Sequence, residues 1–262
     1  MAGKRGLVMG VANDHSIAWG IARELSAQGA SLAFTYQGAA FEKRVRPLAD
    51  SVGSQLVLPC DVSEESDISR VFDALGEAWG SLDFVVHAIA YSDKEELKGP
   101  YLGTSRVNFQ RTMAISCYSF TAICRAAAPL MTAGGSLLTL SYLGAERVTP
   151  NYNVMGVAKA ALEASVRYLS VDLGDQAVRV NAISAGPMRT LAGSAIGDAR
   201  FVFSWNRSHA PLARTVLLEE VGRAGLYLLS DLSSGVTGEI HHVDAGYNIV
   251  GIPSPRRMNK DG

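Results

Sequence analysis

The sequence predicts an α/β fold: a single Rossmann-type, doubly wound sheet of seven parallel strands with helices on both faces. Short apolar runs alternate with helix-length segments from end to end, which is the mark of βα units. A glycine-bearing turn directly follows the first run and opens the first helix, as in dinucleotide-binding domains. The 262 residues, 48% apolar and 19% charged, suit one large core rather than a disordered chain.

The first strand is expected over residues 6–9, followed by a loop and a helix over 17–28 that Gly29 ends. A second strand at 31–35 leads into a charged helix over 40–52. A third at 56–59 precedes a helix over 64–79. The fourth strand spans 82–87, and long helical stretches follow around 107–131. The fifth spans 136–140, before a helix that runs from Tyr152 through Lys159 to Asp172. The sixth strand spans 178–183, and the seventh 239–243, with a helix over 219–229 between them. No repeat or linker interrupts this order, so residues 1–251 read as one dinucleotide-binding and catalytic domain. The long insertion after the sixth strand mixes Gly, Ser and aromatics, and residues 188–211 of it are expected to cover a substrate. Residues 252–262 read as a partly disordered tail.

A net charge of -1 argues against nucleic acid or an anionic membrane as the main partner. No stretch approaches twenty uninterrupted apolar residues, so no membrane span is expected. The amino terminus runs into the first strand without the apolar core of a signal peptide. Cys60, Cys117 and Cys124 are odd in number and form no CxxC pair, which fits reduced thiols in the cytoplasm.

In the turn Gly10-Val-Ala-Asn-Asp-His-Ser16-Ile17, Gly10 allows a tight bend. Ser16 and Ile17 place a hydroxyl and backbone N–H groups at a helix start, an anion site suited to a pyrophosphate. The alternative is an ordinary turn with a Ser cap. After the second strand stands Gln37, which can hydrogen-bond a ribose or simply face solvent. No acid accompanies it, and Lys43 and Arg44 lie too far along to clamp a 2′-phosphate, which favours NADH over NADPH. Asp61 and Val62 after the third strand fit an adenine contact, with a helix N-cap as the competing role for Asp61. The small residues of His87-Ala-Ile-Ala90 let backbone approach a ribose, and His87 itself reads as a core residue.

The chemistry is expected from Tyr152 and Lys159, seven residues and almost two helical turns apart, hence on one face. A phenol beside an ammonium can stabilise a developing oxyanion. Tyr142 lies ten residues upstream, where the fifth strand gives way to Gly144. The competing reading is a surface Tyr and Lys on an amphipathic helix.

On these motifs the chain resembles the short-chain dehydrogenase/reductase superfamily. Within it, the chain is similar to the NADH-dependent enoyl-[acyl-carrier-protein] reductases of bacterial fatty-acid synthesis. The segments Leu140-Ser-Tyr-Leu-Gly-Ala-Glu-Arg147, Pro150-Asn-Tyr-Asn-Val-Met-Gly156 and Arg179-Val-Asn-Ala-Ile-Ser-Ala-Gly-Pro187 carry that resemblance, which spans roughly residues 6–247. Most of the superfamily places its catalytic Tyr four residues before the Lys, where Met155 stands here; the enoyl reductases place it seven before, at Tyr152. The resemblance implies that Tyr142 and Tyr152 form the active-site pair and that Lys159 binds the nicotinamide ribose. It implies that NADH lies along Gly10, Ser16, Ile17, Gln37, Asp61, Val62 and Ile89. Met188, Arg189, Thr190, Leu191 and Ala192 are then expected to close over it, and Ser92 to face substrate. It further implies enoyl-loaded acyl carrier protein as partner and a homotetrameric assembly. A carbonyl or 3-ketoacyl reductase and a non-catalytic nicotinamide-binding sensor are the alternatives.

Overall fold

Seven strands pair in parallel in the order β3-β2-β1-β4-β5-β6-β7 in the computed structural model, which describes residues 1–188, 190 and 199–252. They are β1 (Arg5–Met9), β2 (Ser31–Tyr36), β3 (Leu56–Pro59), β4 (Phe84–His87), β5 (Gly135–Ser141), β6 (Val178–Ala185) and β7 (Ile240–Val243). The helices are α1 (Ile17–Ala27), α2 (Gly38–Ser51), α3 (Glu65–Trp79), α4 (Arg106–Met113), α5 (Ser119–Ala127), α6 (Asn153–Asp172), α7 (Ala199–His209) and α8 (Leu218–Leu229). The alternation of side chains along each strand divides the interior into two cores. Val8, Phe34, Phe84 and Val86 pack with α1 and α8 on one face. Leu7, Met9, Val85 and Leu137 pack with α3, α5 and α6 on the other. The chain winds outward from β1 to β3 and returns at β4 on the opposite side, so strand order reverses between β1 and β4. Ligand crevices form outside the carboxyl ends of strands at such a reversal.

The expected elements are all present, with informative differences. The stretch expected as helical over 107–131 is one helical run whose middle, Ala114–Tyr118, widens into a π turn between α4 and α5. As a unit, Arg106–Leu130 is long and apolar enough to cross a membrane by length and composition alone. Its apolarity serves the core, because Phe120, Ile123, Cys124 and Ala127 are fully buried against the sheet. β6 runs two residues further than expected, because Ser184 and Ala185 find partners in β7. The insertion after β6 holds a helix, α7, within the expected cover. Of the expected tail, only Ile252 falls among the described residues.

Cys60, Cys117 and Cys124 are buried and unpaired. Burial pushes the Cys60 thiol up to about 12, and raises Cys117 and Cys124 as well, so none is poised as a thiolate nucleophile. Arg179 clips β6 to the end of α8. Its guanidinium donates to Leu228 O at 2.9 Å, Ser230 O at 3.1 Å, Ser233 Oγ at 2.8 Å and Val236 O at 3.3 Å. Arg179→Met is therefore expected to strand several partly buried acceptors and cost about 1–3 kcal/mol of stability. Urea unfolding checks this, and an unchanged midpoint would remove Arg179 from the account.

Candidate active site

A cavity of about 1520 Å³ opens at the carboxyl ends of the strands beside the β1/β4 reversal. One end is shaped for a nucleotide. Gly10 has φ +95°, and a Cβ there would lie 2.0 Å from Ala88 O, so the first turn runs flush against the chain leaving β4. No side chain caps the start of α1. Ile17 and Ala18 line the cavity there, where the positive end of the helix dipole attracts an anion. Ser16 lines the cavity, and its hydroxyl accepts the turn's own N–H groups from Ala12 at 3.0 Å and Asn13 at 3.1 Å. It braces the loop whose backbone would meet the anion.

Gln37 and Asp61 meet at this end. Gln37 Nε2 donates to Asp61 Oδ2 at 2.7 Å, while Ser63 donates to Oδ1 through its backbone at 2.9 Å and its hydroxyl at 2.6 Å. Those bonds, with the nearby Arg111 charge, hold the Asp61 carboxyl below its ordinary range although burial opposes them. Asp61 is not the cap of α3, whose N-cap is Glu64. The missing acid after β2 is thus matched by one arriving from β3. Val62, Ile89, Met188 and Thr190 also line the cavity. Arg189, Leu191 and Ala192 lie outside the described residues. The turn, the uncapped helix start, the Gln37–Asp61 pair and the cavity's size together fit a dinucleotide.

The other end holds Tyr142, Tyr152, Met155 and Lys159. Tyr152 is the N-cap of α6 rather than its first helical residue. It is flanked by two residues in the left-handed region, Asn151 at φ 58° and Asn153 at φ 39°, a conformation that Asn tolerates better than most side chains. Asn153 Nδ2 donates to Leu97 O and Gly99 O, each at 3.0 Å, and so pins the helix start to the loop after β4. The Tyr142 and Tyr152 rings meet edge to face, 5.0 Å apart at 72°. Tyr152 is 6% exposed, and its hydroxyl makes no hydrogen bond among the described residues, which leaves it free to donate into the cavity. Burial lifts the Tyr152 phenol well above its ordinary range, with Tyr142 and Glu163 adding to the effect, so it stays protonated.

Lys159 is 5% exposed and donates to Leu140 O at 2.7 Å. An ammonium has three donors, so two remain for a ligand. Burial brings its pKa down to about 8, against the upward pull of Cys117 and Glu163. It is therefore mainly an ammonium at neutral pH. His87 is fully buried between Thr139 Oγ1 and Ser119 Oγ, each 2.9 Å away. Burial and the Lys159 charge push it down to about 3, so it is a neutral core residue.

Ser92 lines the cavity, but its hydroxyl turns toward α4 rather than toward a substrate. It lies 3.3 Å from Asn108 Oδ1 and accepts from Thr112 Oγ1 at 3.0 Å. Its neighbour Tyr91 presents its ring instead, with the Arg111 guanidinium 4.5 Å from the centroid. Arg200, Phe203 and Arg207 bring α7 to the same cavity. Sequence reasoning passed over Arg111, Asn153 and Glu163. The last stands four residues beyond Lys159 and was legible as sharing its face.

The chain matches, over residues 10–248, the family model described as enoyl-(acyl carrier protein) reductase. It is 65% identical to an NADH-type enoyl-[acyl-carrier-protein] reductase of Rhizobium meliloti, covering 97% of this chain and 95% of that one. It is 54% identical to the FabI enzyme of Rickettsia felis, covering 96% of each. Among solved structures, FabI from Candidatus Liberibacter asiaticus superposes with a TM-score of 0.95 at 58% identity, over 97% of this chain and 98% of that one. The Anaplasma phagocytophilum reductase, crystallised with NAD, gives 0.94 at 61% identity over 97% of each. Matched along nearly its whole length in both sequence and fold, the chain belongs to the enoyl-(acyl carrier protein) reductase family.

Proposed function

We propose that this chain reduces the trans-2 double bond of enoyl thioesters borne by acyl carrier protein, with NADH, in type II fatty-acid biosynthesis. The observation that carries this is that the free Tyr152 hydroxyl and the Lys159 ammonium line one cavity with the nucleotide cradle. NADH, when bound, would supply the hydride that the β-carbon receives, and a proton from solvent completes the reduction at the α-carbon. Tyr152 donates a hydrogen bond to the thioester oxygen, where negative charge collects only as the reaction proceeds. Lys159 holds the ribose hydroxyls with its two spare donors and keeps the potential positive beside that oxygen. Tyr142 sets the tilt of the Tyr152 ring through their edge contact. Burial of the pair excludes water and strengthens both interactions.

Met155 stands where carbonyl reductases of the superfamily keep their phenol, and a thioether has no proton to give. That disfavours the ketone-reducing alternative. The intact Tyr152–Lys159 pair disfavours a non-catalytic sensor. NADH oxidation with crotonyl thioester in one cuvette and a 3-ketoacyl thioester in another separates the three, and turnover of the ketone alone would overturn the proposal. Because the ammonium form is required, kcat/KM is expected to hold below pH about 8 and to fall as Lys159 loses its proton above it. A pH profile flat through that range would count against Lys159.

Residues 188–211 are assigned as the substrate cover of a single-domain enzyme, supported by the α7 side chains that reach the cavity. A cytoplasmic homotetramer is assigned too. The unpaired thiols support the compartment, and the exposed Tyr168 and Val171 on α6 with Ile249 support the assembly. Sedimentation of the purified protein tests the assembly, and a monomer would remove it.

A further inference from the structure

Glu163 is a buried carboxyl for which the proposed reaction has no use. It is 6% exposed on α6, one turn beyond Lys159. The Ser141 hydroxyl at the end of β5 donates to its Oε1. The residue before Ser141 is Leu140, whose carbonyl receives Lys159 Nζ. Ammonium and carboxylate are thus tied to two consecutive residues of one strand. Burial raises the Glu163 carboxyl above its ordinary range. The ionisable groups that act on it are Glu146 beyond β5, His242 on β7 and Arg167 on its own helix, while Cys117 of the π turn acts with Glu163 on Lys159. Glu146 and His242 pair with each other at 2.7 Å. Tyr152 also feels the Glu163 charge.

Burial alone makes an ionised carboxyl an expensive way to fill space, and an apolar side chain of similar volume would pack there at less cost. Its position one turn beyond Lys159, a buried cation of the site, gives it a different use. We propose that Glu163 is a positioning residue for Lys159: anchored to β5 through Ser141, its carboxylate supplies the negative charge that keeps Lys159 an ammonium inside a dry cavity. Desolvation drives a buried lysine toward its neutral form. A neutral amine would hold ribose hydroxyls less firmly and contribute no positive potential at the thioester oxygen. Glu163 opposes that drift together with Cys117, the other group that favours the charged lysine. The proposal rests on the enoyl-reductase reading for its catalytic consequence, but the link between Glu163 and Lys159 is independent of it.

The test is Glu163→Gln, whose amide oxygen still accepts from Ser141 while the charge is removed. Two quantities are followed from neutral to alkaline pH: kcat/KM with crotonyl thioester, and NADH affinity by fluorescence titration. Loss of the carboxylate lowers the proton affinity of Lys159, so both alkaline limbs are expected to move down by roughly one pH unit. A variant with parental circular dichroism and unshifted limbs overturns the proposal. Glu163→Asp keeps the charge on a shorter stem, and its limbs are expected to stay at the parental pH even where kcat falls. Limbs displaced in Glu163→Asp would overturn the proposal too, because shape and not charge would then govern Lys159, and this arm decides the matter if Glu163→Gln does not fold. Should the parent leave the enoyl thioester unreduced, the functional reading fails, while the NADH profile still tests Glu163.

Discussion

Tyr152→Phe is expected to lower kcat by about 10²–10³-fold, the loss typical of one oxyanion donor, while NADH affinity stays near the parental value. The two halves of that outcome have separate structural reasons. The Tyr152 hydroxyl is bonded to nothing among the described residues, so its removal strands no partner and leaves the ring packed against Tyr142. The groups assigned to the nucleotide, from Gly10 to the Gln37–Asp61 pair, follow β1, β2 and β3, whereas that ring stands at the start of α6. Because burial keeps the phenol protonated, the deficit should be the same at every pH where Lys159 keeps its charge. Steady-state rates with crotonyl thioester and fluorescence titration of NADH measure the two halves. An unchanged kcat would dismiss Tyr152 as the donor, and a collapse of NADH affinity would mean that its role is structural.

Gly144→Ala is expected to reach nearly as far without touching a reacting group. A Cβ at Gly144 would lie 2.3 Å from Tyr152 Cδ1 and 2.7 Å from Cε1. No real contact is that short, so the ring has to move. Its retreat is limited, since Tyr142 borders it and the turn at Leu143–Ala145 sits directly against α6. A Cβ on Gly156 would stand only 2.7 Å from Gly144 O, which shows how closely helix and turn approach. Displacing a catalytic group by about 1 Å costs on the order of 10²-fold in rate. Overpacking of this kind also costs about 1–3 kcal/mol of stability. Lys159 lies two turns further along α6, so NADH binding should survive. A variant with parental kcat would mean that the Tyr152 ring is free to shift without consequence.

The parts of the fold that were legible share one cause. A strand buried on both faces of a parallel sheet is an apolar run, which exposed β1, β2, β4, β5 and β6, and the glycine turn after β1 marked the cradle. What escaped depended on partners far along the chain. The Gln37–Asp61 bond joins residues from two neighbouring strands, and nothing at either position announces the other. The Ser92 hydroxyl turns inward because Asn108 and Thr112 on α4 come to meet it, a contact invisible in local sequence. The α7 helix was hidden by the Gly and Ser before it, although Phe201, Trp205 and His209 recur at the spacing of one helix face. Their rings stack in series, with centroids 5.8 Å and then 3.9 Å apart. Glu163 is the intermediate case. Its spacing from Lys159 was plain, whereas its anchor, Ser141, belongs to another element.

The grip of Asn153 on the carbonyls of Leu97 and Gly99 has a consequence for engineering. The loop that carries Tyr91 and Ser92, both of which line the cavity, shares a hinge pin with the start of the helix that follows the phenol. Lengthening or trimming that loop to admit a different chain would swing the Tyr152 hydrogen-bond donor as well. Substrate range and turnover in this protein are geared together, and a redesign of one must re-seat the other.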